Sequence, residues 1–263
     1  MTKIIHVSAE ASHYDKESAS YDAFNEDKSR LINETLEKIL NAHQAKTILD
    51  LSCGTGSQVF WLDRAGYNVT GYDINDKMLD IARKKASEIG LNIRFEQGDM
   101  RTSQVGKFDA VLTIFNAIGH LTKNDFEQTI KNVAQNLIEG GLYIFDIFNL
   151  DYLLKGDNIT KLTIDWQKKF DGITAREIQY STIDNEGVLA SHDIYHEQRD
   201  NEDPVISTAY QTLQVYSAKQ LIMMLEKYDF KVLKQCNIDG TEFIAESSER
   251  ILTIAKLEKA CSN

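Results

Sequence analysis

The chain has 263 residues, 42% apolar and 26% charged, which suits one large globular domain or a domain with a substantial insertion and excludes a disordered chain. A formal charge of -11 counts against a nucleic-acid partner, and the densest basic spots, Lys84-Lys85 and Lys168-Lys169, read as solvated faces. No apolar run is long enough to span a bilayer, the first residues lack the apolar stretch of a signal peptide, and Cys53, Cys236 and Cys261 are too few and too scattered for a zinc or disulfide framework. The expectation is a protein of the reducing cytoplasm, with no membrane partner.

Residues 1–26 are polar and aromatic without a clear period. Leu31, Ile32, Thr35, Leu36, Ile39 and Leu40 then fall at helical spacing. Thr47 to Leu51 reads as a buried strand, broken by Gly54-Thr55-Gly56. A helix carrying Val59, Phe60 and Leu62 follows and closes at Gly66. Asn68 to Asp73 is the next strand, and Asn75 caps a helix running to Gly90. Ile93 to Gln97 and Phe108 to Phe115 are the third and fourth strands. Phe126, Ile130, Val133 and Leu137 form a helical stripe ended by Gly140-Gly141, and Leu142 to Asp146 is the fifth strand. Strands alternating with helices at this spacing imply right-handed crossovers and a parallel sheet covered on both faces.

The pattern changes after residue 150. Residues 159–215 read as an antiparallel sheet of about four strands, turning at Asp171-Gly172 and at Asp184 to Gly187, with Pro204 at a turn. Ser217 to Gln220 is a capping box that opens a helix through Leu221, Leu225 and Tyr228, and two strands near 230–237 and 249–257 finish the chain. The expected architecture is α/β: a doubly wound, mostly parallel seven-stranded Rossmann-like sheet with an inserted antiparallel β-sheet. Residues 1–150 form the N-terminal helical segment and cofactor-binding core, 151–216 the insert, and 217–263 the last helix and two closing strands.

Asp50-Leu51-Ser52-Cys53-Gly54-Thr55-Gly56 lies at the carboxyl end of a strand, where open α/β sheets bind ligands. Gly54 and Gly56 allow a tight turn and a close approach of backbone to ligand. Asp73 ends the next strand, where a carboxylate can accept both hydroxyls of a ribose; as a bare helix cap it would need no ligand. A dinucleotide fingerprint, G-x-G-x-x-G, needs a third glycine where Val59 stands, and Asp50 would repel a diphosphate. Asp50 suits the ammonium of a methionine moiety, directly or through water and backbone groups. Cys53 reads as a small buried residue and Met78 as core.

Ile48 to Gly56 resembles the first motif of class I S-adenosylmethionine-dependent methyltransferases. Tyr72 to Asn75 with Met78-Leu79 resembles the second, Gly98-Asp99-Met100 the third, Phe108 to Val111 the fourth, and Asn136 to Gly141 the turn before the fifth strand. The resemblance covers about residues 46–150. It implies S-adenosylmethionine as cofactor, with Gly54 and Gly56 along its methionine portion, Asp73 on the ribose, Ile74 packed on adenine, Asp99 accepting from the exocyclic amine and Met100 over the ring.

The acceptor is expected beyond the fourth strand, at Phe115-Asn116-Ala117-Ile118-Gly119-His120, with Phe115 also touching the cofactor. The segment lacks the prolines of a base-amine motif and the cysteine of a cytosine-carbon methylase. It also lacks strand-end carboxylates for a metal, although Asp146 and Asn149 lie near, so no metal site is expected. His120 is the one titratable group placed to remove a proton at neutral pH. The segment also resembles that of N,N-dimethyltransferases of nucleotide-linked amino sugars, which share a tyrosine-bearing N-terminal segment and an antiparallel insert. That resemblance implies that Tyr14 and Tyr21 close over the cofactor, Tyr14 as a catalytic residue beside His120, and that Arg30 meets the cofactor carboxylate. His192 and His196 face one side of an insert strand, either toward the acceptor or on a partly exposed face; two histidines alone make a poor zinc site.

The sequence therefore predicts a methyltransferase acting by in-line methyl transfer on a small-molecule amine or hydroxyl, with a homodimer through the insert as a further expectation. A nicotinamide-dependent oxidoreductase and a non-catalytic cofactor-binding module stand as the alternatives.

Overall fold

The strands of the first half carry apolar side chains toward both faces, as strands buried on both sides must. In a computed structural model, which describes residues 4–13, 21–170, 172–199 and 202–258 (side chains of 21–28 and 170 excepted), seven strands form one sheet. They are β1 (Thr47–Asp50), β2 (Asn68–Asp73), β3 (Arg94–Gln97), β4 (Phe108–Thr113), β5 (Leu137–Phe148), β10 (Phe230–Cys236) and β11 (Arg250–Leu257), in the order β10-β11-β5-β4-β1-β2-β3. The pairs β1–β2, β1–β4, β2–β3 and β4–β5 are parallel, and β11 runs antiparallel to both β5 and β10.

Alternation along β5 shows how the two faces are filled. Leu142 and Ile144 point into a core shared with Ile32, Leu36 and Leu40 of α1 (Tyr21–Ala42), Val59 and Leu62 of α2 (Ser57–Arg64), and Leu79 and Ala82 of α3 (Asp76–Glu88). Tyr143, Phe145 and Ile147 point the other way, onto Phe126, Ile130 and Val133 of α4 (Lys123–Asn136). Leu221 and Leu225 of α6 (Ala218–Glu226) join that second core. Caps fix where the helices start. Asn75 Oδ1 accepts from Met78 N at 2.9 Å, and Ser217 and Gln220 form a reciprocal capping box.

Gly140-Gly141 does not end α4. The helix stops at Asn136, whose side chain accepts from Val105 N at 2.7 Å and donates to Ser103 O at 2.9 Å. The glycines instead lie inside β5, where the pairing with β4 shifts between Phe108 and Ala110. Gly140 there has φ 78°, and a Cβ on Gly141 would come within 3.0 Å of Ile138 O. The fourth strand is also shorter than the sequence predicts: it stops at Thr113, because Phe115 and Asn116 turn into the left-handed region at φ 63° and 60°.

A short helix, α5 (Leu150–Leu153), and a 3-10 turn at Asn158–Leu162 precede the second sheet, where the sequence predicts strand from residue 159. That sheet is fully antiparallel: β6 (Ile164–Phe170), β7 (Ile173–Ile183), β8 (Val188–Arg199) and β9 (Val205–Gln214) in sequence order. Its near end is anchored by Leu189 and Val215 on Leu150, Tyr152 and Leu153. Val205, Ile206 and Tyr210 toward its far end are exposed. No helix among the described residues is long and apolar enough to cross a membrane.

Candidate functional site

The strand order reverses between β1 and β4, and a cleft opens at their carboxyl ends, the place expected of a small-molecule site. Leu51, Ser52, Gly54, Asp73, Ile74, Asp99, Met100, Phe115 and His120 all line it. Residues that the sequence scatters over the first, second, third and fourth strand ends thus face one space.

The turn after β1 leaves room for a ligand. Gly54 has φ 51° and a Cβ there would meet nothing within 4 Å, so its open side belongs to the cleft. Gly56, at φ 92°, is packed instead: a Cβ would come within 2.6 Å of the Phe60 ring, and it lies outside the cleft lining. Asp73 holds the turn and faces the cleft at once. Its Oδ2 accepts from Gly54 N at 2.8 Å and its Oδ1 from Asn75 N at 2.8 Å. A carboxylate held in this way at the cleft wall suits the hydroxyls of a ribose. Burial pushes the Asp73 carboxyl up, against the downward pull of these backbone bonds.

Asp50 lies beneath the turn, fully buried and outside the cleft lining. Its Oδ1 accepts from Ser52 N at 3.0 Å, whereas Oδ2 has no hydrogen-bond partner among the described residues. Burial pushes its carboxyl up to about 7; the Ser52 bond lowers it and nearby Asp73 raises it again. That position separates Asp50 from direct contact with an ammonium and leaves the route through Ser52 and the turn backbone. The Cys53 thiol is pushed up by burial, Asp73 and Asp50, the reverse of what a nucleophile requires.

At the other end, Phe115 and Asn116 follow β4 as two consecutive left-handed residues without a glycine, backbone strain of the kind that clusters at working sites. Three contacts hold them: Phe115 N donates to Asp146 Oδ1 at 2.6 Å, Asn116 Oδ1 accepts from Phe148 N at 3.0 Å, and Arg250 pairs with Asp146 Oδ2. Asp146 is therefore committed to a turn and a guanidinium, not to a metal position. His120, on the 3-10 turn Ala117–His120, faces the cleft as the sequence predicts, but its basicity differs. Burial first, then His13 and His6, hold it down to about 3, so it is a neutral and weak base.

Residues 4–13 supply a wall that sequence reasoning missed. Ala9 N donates to His120 O at 2.9 Å, His6 bonds Leu121 O at 3.0 Å and Thr212 Oγ1 at 2.8 Å, and Asn75 Nδ2 donates to Ala11 O at 2.7 Å. Ser8 Oγ donates to Asp125 and accepts from Thr122 N. Ala9, Glu10, Ala11 and His13 thereby line the cleft, and the His13 ring lies 5.0 Å from that of His120. The segment has no periodicity: apart from a local turn in which His13 N donates to Glu10 O, the bonds named here run to distant parts of the chain.

Other expected residues fall elsewhere. Arg30 is exposed, pairs with Glu34 at 3.5 Å and is not among the residues that line the cleft. Tyr14 and the Tyr21 side chain lie outside the described residues. Met78 is buried and also lines the cleft. His192 packs between Tyr180 and Tyr210, each ring 4.8 Å away, and neither it nor His196 lines the cleft.

With this geometry in hand, comparison with known proteins is specific. A methyltransferase domain family matches residues 48–141. A putative methyltransferase of Geobacillus sp. (strain WCH70) is 26% identical over 224 residues, 81% of this chain and 85% of that protein. The dTDP-3-amino-3,4,6-trideoxy-alpha-D-glucopyranose N,N-dimethyltransferase of Streptomyces venezuelae is 30% identical over 105 residues, 39% of this chain and 43% of that enzyme. A solved sugar N-methyltransferase from Streptoalloteichus sp. ATCC 53650 shares the fold across 97% of both chains, at a TM-score of 0.74 and 16% identity.

Proposed function

Because the chain is a class I S-adenosylmethionine-dependent methyltransferase, we propose that its acceptor is the nitrogen of a small amine. The observation that carries this reading is the state of His120. A hydroxyl must lose a proton as it attacks, and a histidine held near 3 is a poor receiver for it. An amine that enters unprotonated already has its lone pair. His120, neutral and facing the cleft, then orients that amine as a hydrogen-bond partner. Two relatives named above act on the nitrogen of sugars, which supports the same class.

When bound, S-adenosylmethionine would supply an electrophilic methyl on its sulfonium; the amine lone pair would form the N–C bond as the C–S bond breaks, leaving S-adenosylhomocysteine and a product ammonium that can release its proton to water. The chain's own residues position and enclose. Asp73 orients the ribose, the Gly54 turn accommodates the methionine portion, and Phe115 with residues 9–13 narrows the acceptor end and excludes water.

The test is a radiolabelled-methyl assay on paired acceptors, amino sugars and simple amines against their hydroxyl counterparts, with product position read by mass fragmentation. N-methyl products are expected, with a rate that rises with pH along the acceptor's own ionisation. Exclusive O-methylation would remove the reading.

A further inference from the structure

Asp99 faces the cleft but is not left to itself there. Arg101, two residues on, wraps back onto it: Nε lies 2.9 Å from both carboxylate oxygens, Nη2 lies 2.5 Å from Oδ2, and Arg101 N adds a backbone bond of 2.9 Å to Oδ1. Both side chains are about three-quarters covered, at 27% and 26% exposure, so the pair is only partly screened by water. The guanidinium is itself held from outside. Its Nη1 meets Asp125 Oδ2 at 3.2 Å, and the same oxygen accepts from Ser8 Oγ of the segment that walls the cleft. Asp125 is fixed in turn by the first turn of α4, where its N donates to Thr122 Oγ1 at 3.2 Å.

Three N–H donors of Arg101 (its backbone N, the Nε shared by both oxygens, and Nη2) meet a carboxylate with about four acceptor positions, which leaves capacity for one further donor. Burial acts to raise the Asp99 carboxyl, and the Arg101 side-chain and backbone bonds outweigh it, so the group stays ionised. An ionised carboxylate with one remaining acceptor position suits an exocyclic amine and repels a carbonyl oxygen at the same place. We propose that Arg101 is a positioning residue for nucleobase selection, aiming Asp99 so that the site takes the 6-amino purine of the cofactor and rejects its 6-oxo counterpart. The inference rests on Asp99 being the acceptor for that amine, which a separate variant checks.

Binding of S-adenosylhomocysteine and of S-inosylhomocysteine, its hypoxanthine analogue, to the full chain by calorimetry between pH 5 and 8 tests this. Wild type is expected to favour the adenine compound by roughly ten- to a hundredfold, the scale of a hydrogen bond to a charged group, with little change across the range. In Arg101→Gln the preference should fall to within about threefold. Its adenine affinity should also decline on acidification at a higher pH than in wild type, because Asp99 now protonates more easily. Arg101→Lys keeps the charge without the fork and should restore the pH profile but only part of the preference. A wild-type preference together with a wild-type pH profile in Arg101→Gln overturns the proposal; if that variant does not fold, a wild-type preference in Arg101→Lys does so. Asp99→Asn separates the two layers: unchanged adenine affinity there removes the Asp99 reading, whereas weakened affinity beside an unaffected Arg101→Gln removes only the role of Arg101.

Discussion

The backbone N–H of Phe115 donates to Oδ1 of Asp146 across 2.6 Å, joining the strained turn after β4 to the carboxyl-terminal part of β5. Asp146 is fully buried, and its other oxygen carries the guanidinium of Arg250 from β11. Three strands therefore determine where one cleft-lining ring stands. The strain at Phe115 and Asn116 is offset by a buried ion pair that makes no contact with the cleft itself.

Asp146→Ala should be severe. It leaves the Arg250 charge, only 12% exposed, without its carboxylate, and Phe115 N without an acceptor. Breaking a buried pair on one side costs about 3–5 kcal/mol. Replacing both members, Asp146→Ala with Arg250→Met, should recover most of that loss and leave a residue of about 1–3 kcal/mol for the unpaired N–H. Urea denaturation measures both, and a single variant within 1 kcal/mol of wild type would show that the turn stands without the pair.

Two buried groups should bend stability with pH in opposite directions. Asp50 is raised from 3.8 to about 7, so its contribution is full below 3.8 and is lost as pH rises through 7. His120 is lowered from 6.5 to about 3, so its contribution is full above 6.5 and is lost as pH falls toward 3. Between about 4 and 6.5 the slopes oppose, each at most about 1.4 kcal/mol per pH unit. Asp50→Asn should make the ligand-free protein lose stability more steeply on acidification, and His120→Asn should make it gain. Denaturant midpoints at pH 4.5, 5.5 and 6.5 decide the matter; parallel curves for all three proteins would refute the assignment.

The sequence made the sheet legible because its signals are local. Glycine turns, Asn75 and Ser217 caps and apolar runs such as Ala110 to Ile114 depend on residues a few positions apart. Part of the cleft lining was legible for the same reason, since Gly54, Asp73 and Asp99 stand at strand ends whose order is fixed by right-handed crossovers. What escaped was set by distant contacts. Residues 4–13 form a wall only because Leu121, Asp125 and Thr212 hold them. The Gly140-Gly141 pair looked like a helix end because a bulge inside a strand and a helical C-cap ask for the same left-handed glycine. The weak basicity of His120 comes from burial, which no spacing of residues reveals.

Gly54 and Gly56 should separate binding from stability. Gly56→Ala drives a Cβ into the Phe60 ring at 2.6 Å from a backbone with φ 92°, so the ligand-free protein should lose about 2–4 kcal/mol, overpacking and left-handed strain together. Gly54→Ala meets nothing and should lose only the left-handed cost of about 1–2 kcal/mol, but its methyl enters the cleft. Its S-adenosylhomocysteine affinity should drop more than tenfold, on the scale of a single steric intrusion into a fitted site. Thermal melts with calorimetric titrations check the pair, and equal losses of affinity in both variants would contradict the distinction.

Asp73→Ala removes the carboxylate that both faces the cleft and accepts from Gly54 N and Asn75 N. Affinity for S-adenosylhomocysteine should weaken by roughly 1.5–3 kcal/mol, the value of a hydrogen bond to a charged acceptor. Part of any loss could come from a loosened turn, so Asp73→Asn is the control: an amide retains one acceptor but not two. If the diol is held by both oxygens, Asn should lose nearly as much affinity as Ala while keeping more of the ligand-free stability. A 2′-deoxy analogue supplies the other half of the cycle, since its penalty in wild type should largely vanish in Asp73→Ala. Additive losses in the variant and the analogue would place the ribose elsewhere in the cleft.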